Sequence, residues 1–242
     1  MNSSDNGASQ TRVPWTIRDM VYAILATLGI MALVLLGAVV FAIVAAILGV
    51  DIEALDFRLL VVITPVVQAL MIVPAWWWSV RKYRVSWRAL GLRRFPWIRG
   101  LAFIALGLLT ILAINLGWAW VMERFELEGQ PDLVPLFGEG LGGFLVAFIA
   151  AAIVAPVAEE LLFRGFLYRG LRDRWGIIAG AVVSSVLFAL FHLVPGVIPA
   201  IILMGLVFAA LYELTDSVWP PILLHGVYNG LAIVMAYLNA GT

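Results

Sequence analysis

The chain contains no cysteine. That single absence excludes disulfides, thiolate nucleophiles and thiolate metal sites, while leaving the redox compartment open. Charge is scarce as well: Asp, Glu, Lys and Arg make up 12% of the 242 residues, about half the share of an ordinary soluble domain. The formal net charge is zero, so no global field draws nucleic acid or acidic partners. Histidine occurs only twice, and neither an internal repeat nor a low-complexity tract is visible.

What fills the space is apolar. Hydrophobic residues make up 64% of the chain, too many for a surface facing water, and they come in blocks long enough to cross a bilayer. Seven blocks stand out, at about 19–49, 58–80, 98–122, 141–168, 176–194, 197–213 and 218–238. The fold class expected is an all-α polytopic membrane protein of about seven transmembrane helices. The polar stretch 1–18 is expected to be a disordered cytoplasmic N-terminus. The first block is about twice the length of a signal-peptide core and reads as a retained span.

The few charges are sorted by sign. Thirteen of the 15 basic residues fall in three segments: Arg12 and Arg18, the run Arg81 to Arg99, and Arg164 to Arg174. The intervening connectors are acidic, with Asp51, Glu53 and Asp56 in one and Glu123, Glu126, Glu128, Asp132 and Glu139 in the other. Cytoplasmic loops collect Lys and Arg, so the predicted orientation is N-terminus inside and C-terminus outside. Trp15, Trp76, Trp97, Trp175 and Trp219 flank the apolar blocks, as amphipathic rings at headgroup depth do.

Polar side chains well inside the spans are few, and the informative ones are read in the second half: Glu159, Glu160 and Arg164 in span four, His192 at the end of span five, His225 and Asn229 in span seven. Ionised groups at bilayer depth cost about 2.5–3.5 kcal/mol each on insertion scales, and normally pair and mark function. Glu160 and Arg164 are four apart on a helix, acid first, which is the favourable order for a pair. Glu159 is turned about 100° away and must find another partner. His225 and Asn229 share a face by the same spacing, as do Phe188 and His192.

A carboxylate, two imidazoles and an amide from three helices suit hydrolysis. Glu159 could take a proton from water, His192 could hold that water, and His225 and Asn229 could donate to an oxyanion. Glu159, His192 and His225 could instead hold zinc with an open position, although no HExxH is present. Ser184 and Ser185 on span five read as packing residues. The depth of His192 is left with two solutions. Spans four and five extend as a helical hairpin carrying Arg169 to Arg174, or Pro195, Gly196 and Pro199 set His192 in an irregular segment within the bundle.

Glu159-Glu160-x-x-x-Arg164, then Phe188-x-x-x-His192, then His225-x-x-x-Asn229 resemble, in order, the three motifs of the CPBP intramembrane proteases. This is also called the CAAX-protease and bacteriocin-processing, or Abi, family, and it includes the type II CAAX prenyl endopeptidases. The resemblance implies an intramembrane endopeptidase with Glu159 as base, His192 positioning water, and His225 and Asn229 stabilising the oxyanion. Glu160 and Arg164 brace the site. Family naming often says metalloprotease; the glutamate-base view needs no metal. The resemblance further implies a peptide or protein substrate, lipidated CAAX proteins among the candidates, and a membrane address, expected to be the plasma membrane of a prokaryote. Residues 141–242 are thus expected to form the catalytic helices four to seven, and 19–140 to supply helices one to three without a family mark. The rival readings are a non-enzymatic bacteriocin-immunity or scaffold protein, and a transporter with a proton relay. The second would favour inverted repeats, which the sequence does not show.

Overall fold

The computed structural model describes residues 12–50, 65–127 and 133–240, which are helical with no strand among them. Helix α1 is Ile17–Ile47. α2 occupies 65–83, and its last part includes the π-helical turn Trp77–Arg81. α3 is Trp97–Phe125, and α4 is the short Leu133–Phe137. α5 runs from Gly140 through Gly140–Phe148, the π-helical Ile149–Val154, Ala155–Glu160 and a second π-helical stretch, Leu161–Tyr168. α6 is Arg169–Leu190, α7 Ile198–Thr215 and α8 Trp219–Ala240.

Five helices among the described residues are long and apolar enough to cross a membrane, counting Gly140–Leu190 as one run of 51 residues. The expected fourth and fifth spans both fall in that run, and the second expected span begins in residues outside those described. A straight helix of that length would measure about 76 Å, more than twice the hydrocarbon thickness. The chain solves this at Gly176, whose φ of 82° and ψ of 172° break the helix. Only glycine adopts such angles without cost. Beyond the break the chain doubles back, bringing Gly180 so close to the backbone of Arg172 that an added Cβ would lie 2.8 Å from its nitrogen.

The basic segments gather at one end of the bundle. Thr16 and Asp19 form a capping box that starts α1, and buried Asp19 also pairs with Lys82 and accepts from the Tyr83 hydroxyl at 2.6 Å. The Val13 amide donates to Asp173 at 2.8 Å, and the Trp15 indole to the Phe166 carbonyl at 3.1 Å. Arg172 pairs with Glu213 at 2.6 Å, and Arg93 pairs with Asp216. Residues 1–11 lie outside those described, but the expected disordered stretch 1–18 does not extend to its last residues. Trp15 is fully buried against Phe166, because a large apolar ring at the head of a helix is worth more packed than wet.

Burial shows which helices form the centre. In the apolar window of α1 only 6% of residues are buried, against 44% for that of Pro195–Thr215. α1 therefore faces outward, while α7, flanked by α3, α6 and α8, occupies the middle.

Candidate active site

The two glutamates sit where α5 is least regular. Pro156 has no N–H to give to a carbonyl one turn back, and π-helical turns lie on both sides of Ala155–Glu160. π-Turns are rare, and where they occur they often re-aim side chains at functional sites. Ala151 lies five residues before Pro156, so in π register its carbonyl meets a residue without a donor. Asn229 of α8 supplies one, its Nδ2 donating to the Ala151 oxygen at 2.8 Å.

Glu160 and Arg164 are both fully buried and 3.2 Å apart. Arg164 also donates to the Gly205 carbonyl at 3.1 Å, and its guanidinium lies over the rings of Phe188 at 4.3 Å and Phe208 at 5.1 Å. These contacts replace much of the hydration a buried cation loses. The Glu160 oxygen that meets Arg164 also meets Nδ1 of His225 at 3.0 Å. An ionised carboxylate only accepts, so Nδ1 carries a hydrogen and points it at Glu160. His225 is held flat by Phe208, stacked at 5.0 Å, and edge-on by Phe188 at 5.9 Å.

Glu159 faces the other side of the same imidazole. Its Oε2 lies 3.9 Å from Nε2 of His225, and that oxygen is buried without a hydrogen-bond partner. With Nδ1–H given to Glu160, Nε2 has a proton to donate only when His225 is an imidazolium. In that form the cluster balances, two carboxylates against Arg164 and His225.

His192 stands in the turn that follows α6. Its Nδ1 lies 3.0 Å from the Phe188 carbonyl, which can only accept, so Nδ1–H donates and Nε2 is left as an acceptor. Both solutions for its depth contribute. Arg172 and Gly180 stand level across the hairpin. Glu159 is 13 residues before Arg172 and His192 is 12 after Gly180, so both rise about 18–20 Å from that level. The irregular segment then ends the helix, with Leu193 at a left-handed φ of 56° and a short 3-10 turn at Pro195–Val197.

Glu159, His192, His225 and Asn229 line one cavity of about 380 Å³. Glu160 and Arg164 stand behind it in the packed interior. Ser185 packs beside Gly205 and does not reach the cavity.

The pocket is not built by the C-terminal four helices alone, as the sequence reading had it. Gln68 of α2 and Asn115, Trp118 and Met122 of α3 also line it. The Trp118 indole donates to the Gly196 carbonyl at 2.8 Å and so fastens the segment that carries His192. Asn115 donates to Ile111 at 2.9 Å and meets the Met204 sulfur at 3.6 Å. Gln68 and Asn115 are uncharged amides inside apolar blocks, the signal by which the first half could have been found. Phe208, one apolar residue among many, carried none.

The three side chains named as possible zinc ligands, Glu159, His192 and His225, all line this cavity. Among the described residues no three His, Asp or Glu side chains gather as a ligand set. Glu160 takes Nδ1 of His225 and leaves Nε2 facing Glu159.

Comparison with known proteins locates the likeness in this region. Residues 141–231 match the family described as type II CAAX prenyl endopeptidase Rce1-like, a stretch that contains all six candidate residues. A protein of Bacillus subtilis (strain 168), YdiL, provisionally named a membrane peptidase, is 31% identical over 87 residues, 36% of each chain. The membrane-embedded CAAX protease MroQ of Staphylococcus aureus (strain USA300) is 32% identical over 94 residues, 36% of this chain and 38% of the relative. A 24.3 kDa protein of Escherichia coli is 26% identical over 100 residues, 40% of this chain and 42% of the relative. The chain thus matches little more than a third of the length of the first two relatives. No solved structure matches. The likeness to the CAAX-protease family that the three motifs carry is shown over this C-terminal region, in an all-α, membrane-type fold.

Proposed function

We propose that this chain is an intramembrane endopeptidase that hydrolyses a peptide bond of a membrane-associated protein or peptide, with Glu159 activating the water. One observation carries the proposal: the buried, unpartnered Glu159 oxygen faces His225 across 3.9 Å inside a cavity that His192 and Asn229 also line. In this reading a water donates one hydrogen to Glu159 and the other to Nε2 of His192. Glu159 removes its proton as the water oxygen attacks the carbonyl carbon. The oxyanion receives the second Nδ2 hydrogen of Asn229 and, from an imidazolium, the Nε2 hydrogen of His225. Collapse breaks the C–N bond, and Glu159 returns its proton to the leaving amine. Glu160 and Arg164 hold His225 in place and touch no reacting atom.

The lack of an HExxH spacing in the sequence favours a route without metal. The basic end is assigned to the cytoplasmic side by its Lys and Arg excess, in the plasma membrane of a prokaryote. Prenylated CAAX-type proteins are one candidate substrate class, because the family matched over residues 141–231 is described as a type II CAAX prenyl endopeptidase and one relative is named a CAAX protease.

The test is a peptidase assay on the purified full chain in detergent, with a fluorogenic CAAX-type peptide bearing or lacking a prenyl group. Glu159→Gln, His192→Ala and His225→Ala variants are run beside it, each checked for thermal unfolding. Cleavage by the native chain that is lost in folded Glu159→Gln supports the reading. Cleavage that survives Glu159→Gln overturns the assigned base. Stoichiometric zinc that disappears in the histidine variants overturns the metal-free route. No cleavage of either peptide, with the variants behaving alike in cells, favours the immunity or scaffold role.

A further inference from the structure

At the basic end, away from the catalytic cavity, the segment between α2 and α3 builds a second pocket. Its sequence is Trp-Arg-Ala-Leu-Gly-Leu-Arg-Arg-Phe-Pro-Trp, residues 87–97. A 3-10 turn at Trp87–Leu90 is closed by Gly91 at a φ of 84°, and the Val218 amide pins it by donating to the Gly91 carbonyl at 2.9 Å. The chain then runs extended to Pro96 and enters α3. Arg88, Arg93, Arg94 and the rings of Phe95, Trp97 and Trp219 enclose an open cavity of about 430 Å³.

The charges there are unequal. Arg93 is fixed: it pairs with Asp216, its Nε donates to the Arg88 carbonyl at 3.1 Å, and its own carbonyl accepts from Ser217 at 2.7 Å. Arg88 and Arg94 are exposed, and no hydrogen bond or ion pair satisfies either side chain among the described residues. Three guanidiniums against one carboxylate leave two positive charges uncompensated. α3 starts at the same place with no side-chain cap. Its first amides and the positive end of its dipole therefore add to the same field.

A solvated basic loop would need no cavity and no aromatic rim. Trp97 is 68% exposed and Trp219 42%, the placement of amphipathic rings at headgroup depth. Phosphate is the anion concentrated at that depth, and guanidinium pairs with it through two parallel hydrogen bonds.

We propose that Arg88, Arg93 and Arg94 with the start of α3 form a binding site for a phosphate anion, whether the phosphodiester of an anionic lipid headgroup or free phosphate. The site is distinct from the proposed catalytic centre and stands whether or not the chain is a peptidase. Arg93, already oriented by Asp216, sets the floor. Arg88 and Arg94 close on the anion from the open side, and the two tryptophans flank it.

The experiment is native mass spectrometry of the full chain released from micelles doped with dioleoyl-phosphatidylglycerol or dioleoyl-phosphatidylcholine. One retained phosphatidylglycerol per chain is expected, with phosphatidylcholine retained far less. Occupancy should fall about tenfold or more in Arg88→Gln/Arg94→Gln and stay unchanged in Arg81→Gln/Arg84→Gln, which removes the same charge outside the cavity. Arg94→Gln alone, at an exposed and unpaired position, should give an intermediate loss should the double variant unfold. Millimolar inorganic phosphate that displaces the lipid identifies free phosphate as a sufficient ligand, and retention against it identifies the lipid headgroup; both sustain the site. Equal retention of the two lipids, or retention unaffected by the cavity variants, overturns it.

Discussion

Oε1 of Glu160 lies 3.0 Å from Nδ1 of His225, and the same oxygen is 3.2 Å from Nη1 of Arg164. One carboxylate atom thus ties a helix-internal ion pair to an imidazole 65 residues away in sequence. The pairing divides labour between neighbouring glutamates. Glu160 is spent on fixing Arg164 and His225, and Glu159 is left facing the cavity with an oxygen that meets nothing but the far nitrogen of that ring.

Glu159→Gln should therefore separate chemistry from folding. The amide keeps the shape and removes the base, so peptidase turnover is expected to fall by about 10²–10⁴. No ion pair to Arg164 is lost, so the thermal unfolding midpoint should shift by no more than a few degrees. A large loss of stability in Glu159→Gln would show that this carboxylate is structural.

Glu160→Ala should do the opposite first. Removing one partner of a fully buried pair leaves Arg164 uncompensated, which costs about 3–5 kcal/mol. Unfolding followed by calorimetry in detergent should show it. The paired replacement Glu160→Leu/Arg164→Met removes both charges and should recover much of the stability. Activity should stay low in that folded double variant, because His225 has lost the acceptor that orients it.

Trp118→Phe tests the reach of α3 into the site. A smaller aromatic ring is kept, and the N–H to the Gly196 carbonyl is lost, a bond worth about 1 kcal/mol. Hydrogen exchange should quicken in the segment 191–197, and kcat should fall up to about tenfold with KM little changed. Positioning of His192, not substrate binding, is what that bond secures. Unchanged exchange in 191–197 would show that the segment is held by other contacts.

How much of this was readable beforehand follows from where each signal lives. Ionisable groups at bilayer depth are so costly that Glu159, Glu160, Arg164, His192 and His225 stand out without coordinates, Asn229 is drawn in by its four-residue spacing from His225, and the same spacing puts Glu160 on Arg164. The second partner of Glu160 could not be read, because the 65-residue separation to His225 is bridged only by the tertiary packing of α8 on α5. Asn229 read as a donor to an oxyanion, but one of its hydrogens goes to the Ala151 carbonyl. Pro156 is the sequence sign of that vacancy, visible only once the helix is known to be in π register there. Gln68 and Asn115 were passed over because an amide in an apolar block is a weaker anomaly than a charge. The fourth and fifth blocks are separated by the break at Gly176, while Arg169 to Arg174, a loop by composition alone, are helical as the hairpin alternative had them, since arginine is a good helix former.

Gly226 decides how near α8 can come to α5. A Cβ added there would lie 2.6 Å from the Ala152 carbonyl oxygen, a backbone atom that cannot swing aside as a side chain would. Gly226→Ala must push the helices apart locally, an overpacking expected to cost about 1–3 kcal/mol. His225 is the preceding residue on α8, so its ring would move away from both glutamates of α5. Misplacement by about 1 Å can cost about a hundredfold in rate. The variant should thus lose far more activity than its modest drop in unfolding midpoint accounts for. Gly142→Ala, a glycine with nothing within 4 Å of its added Cβ, serves as the comparison and should leave both quantities near native. Equal behaviour of the two variants would mean that the close approach of α8 to α5 does not set the geometry of the site.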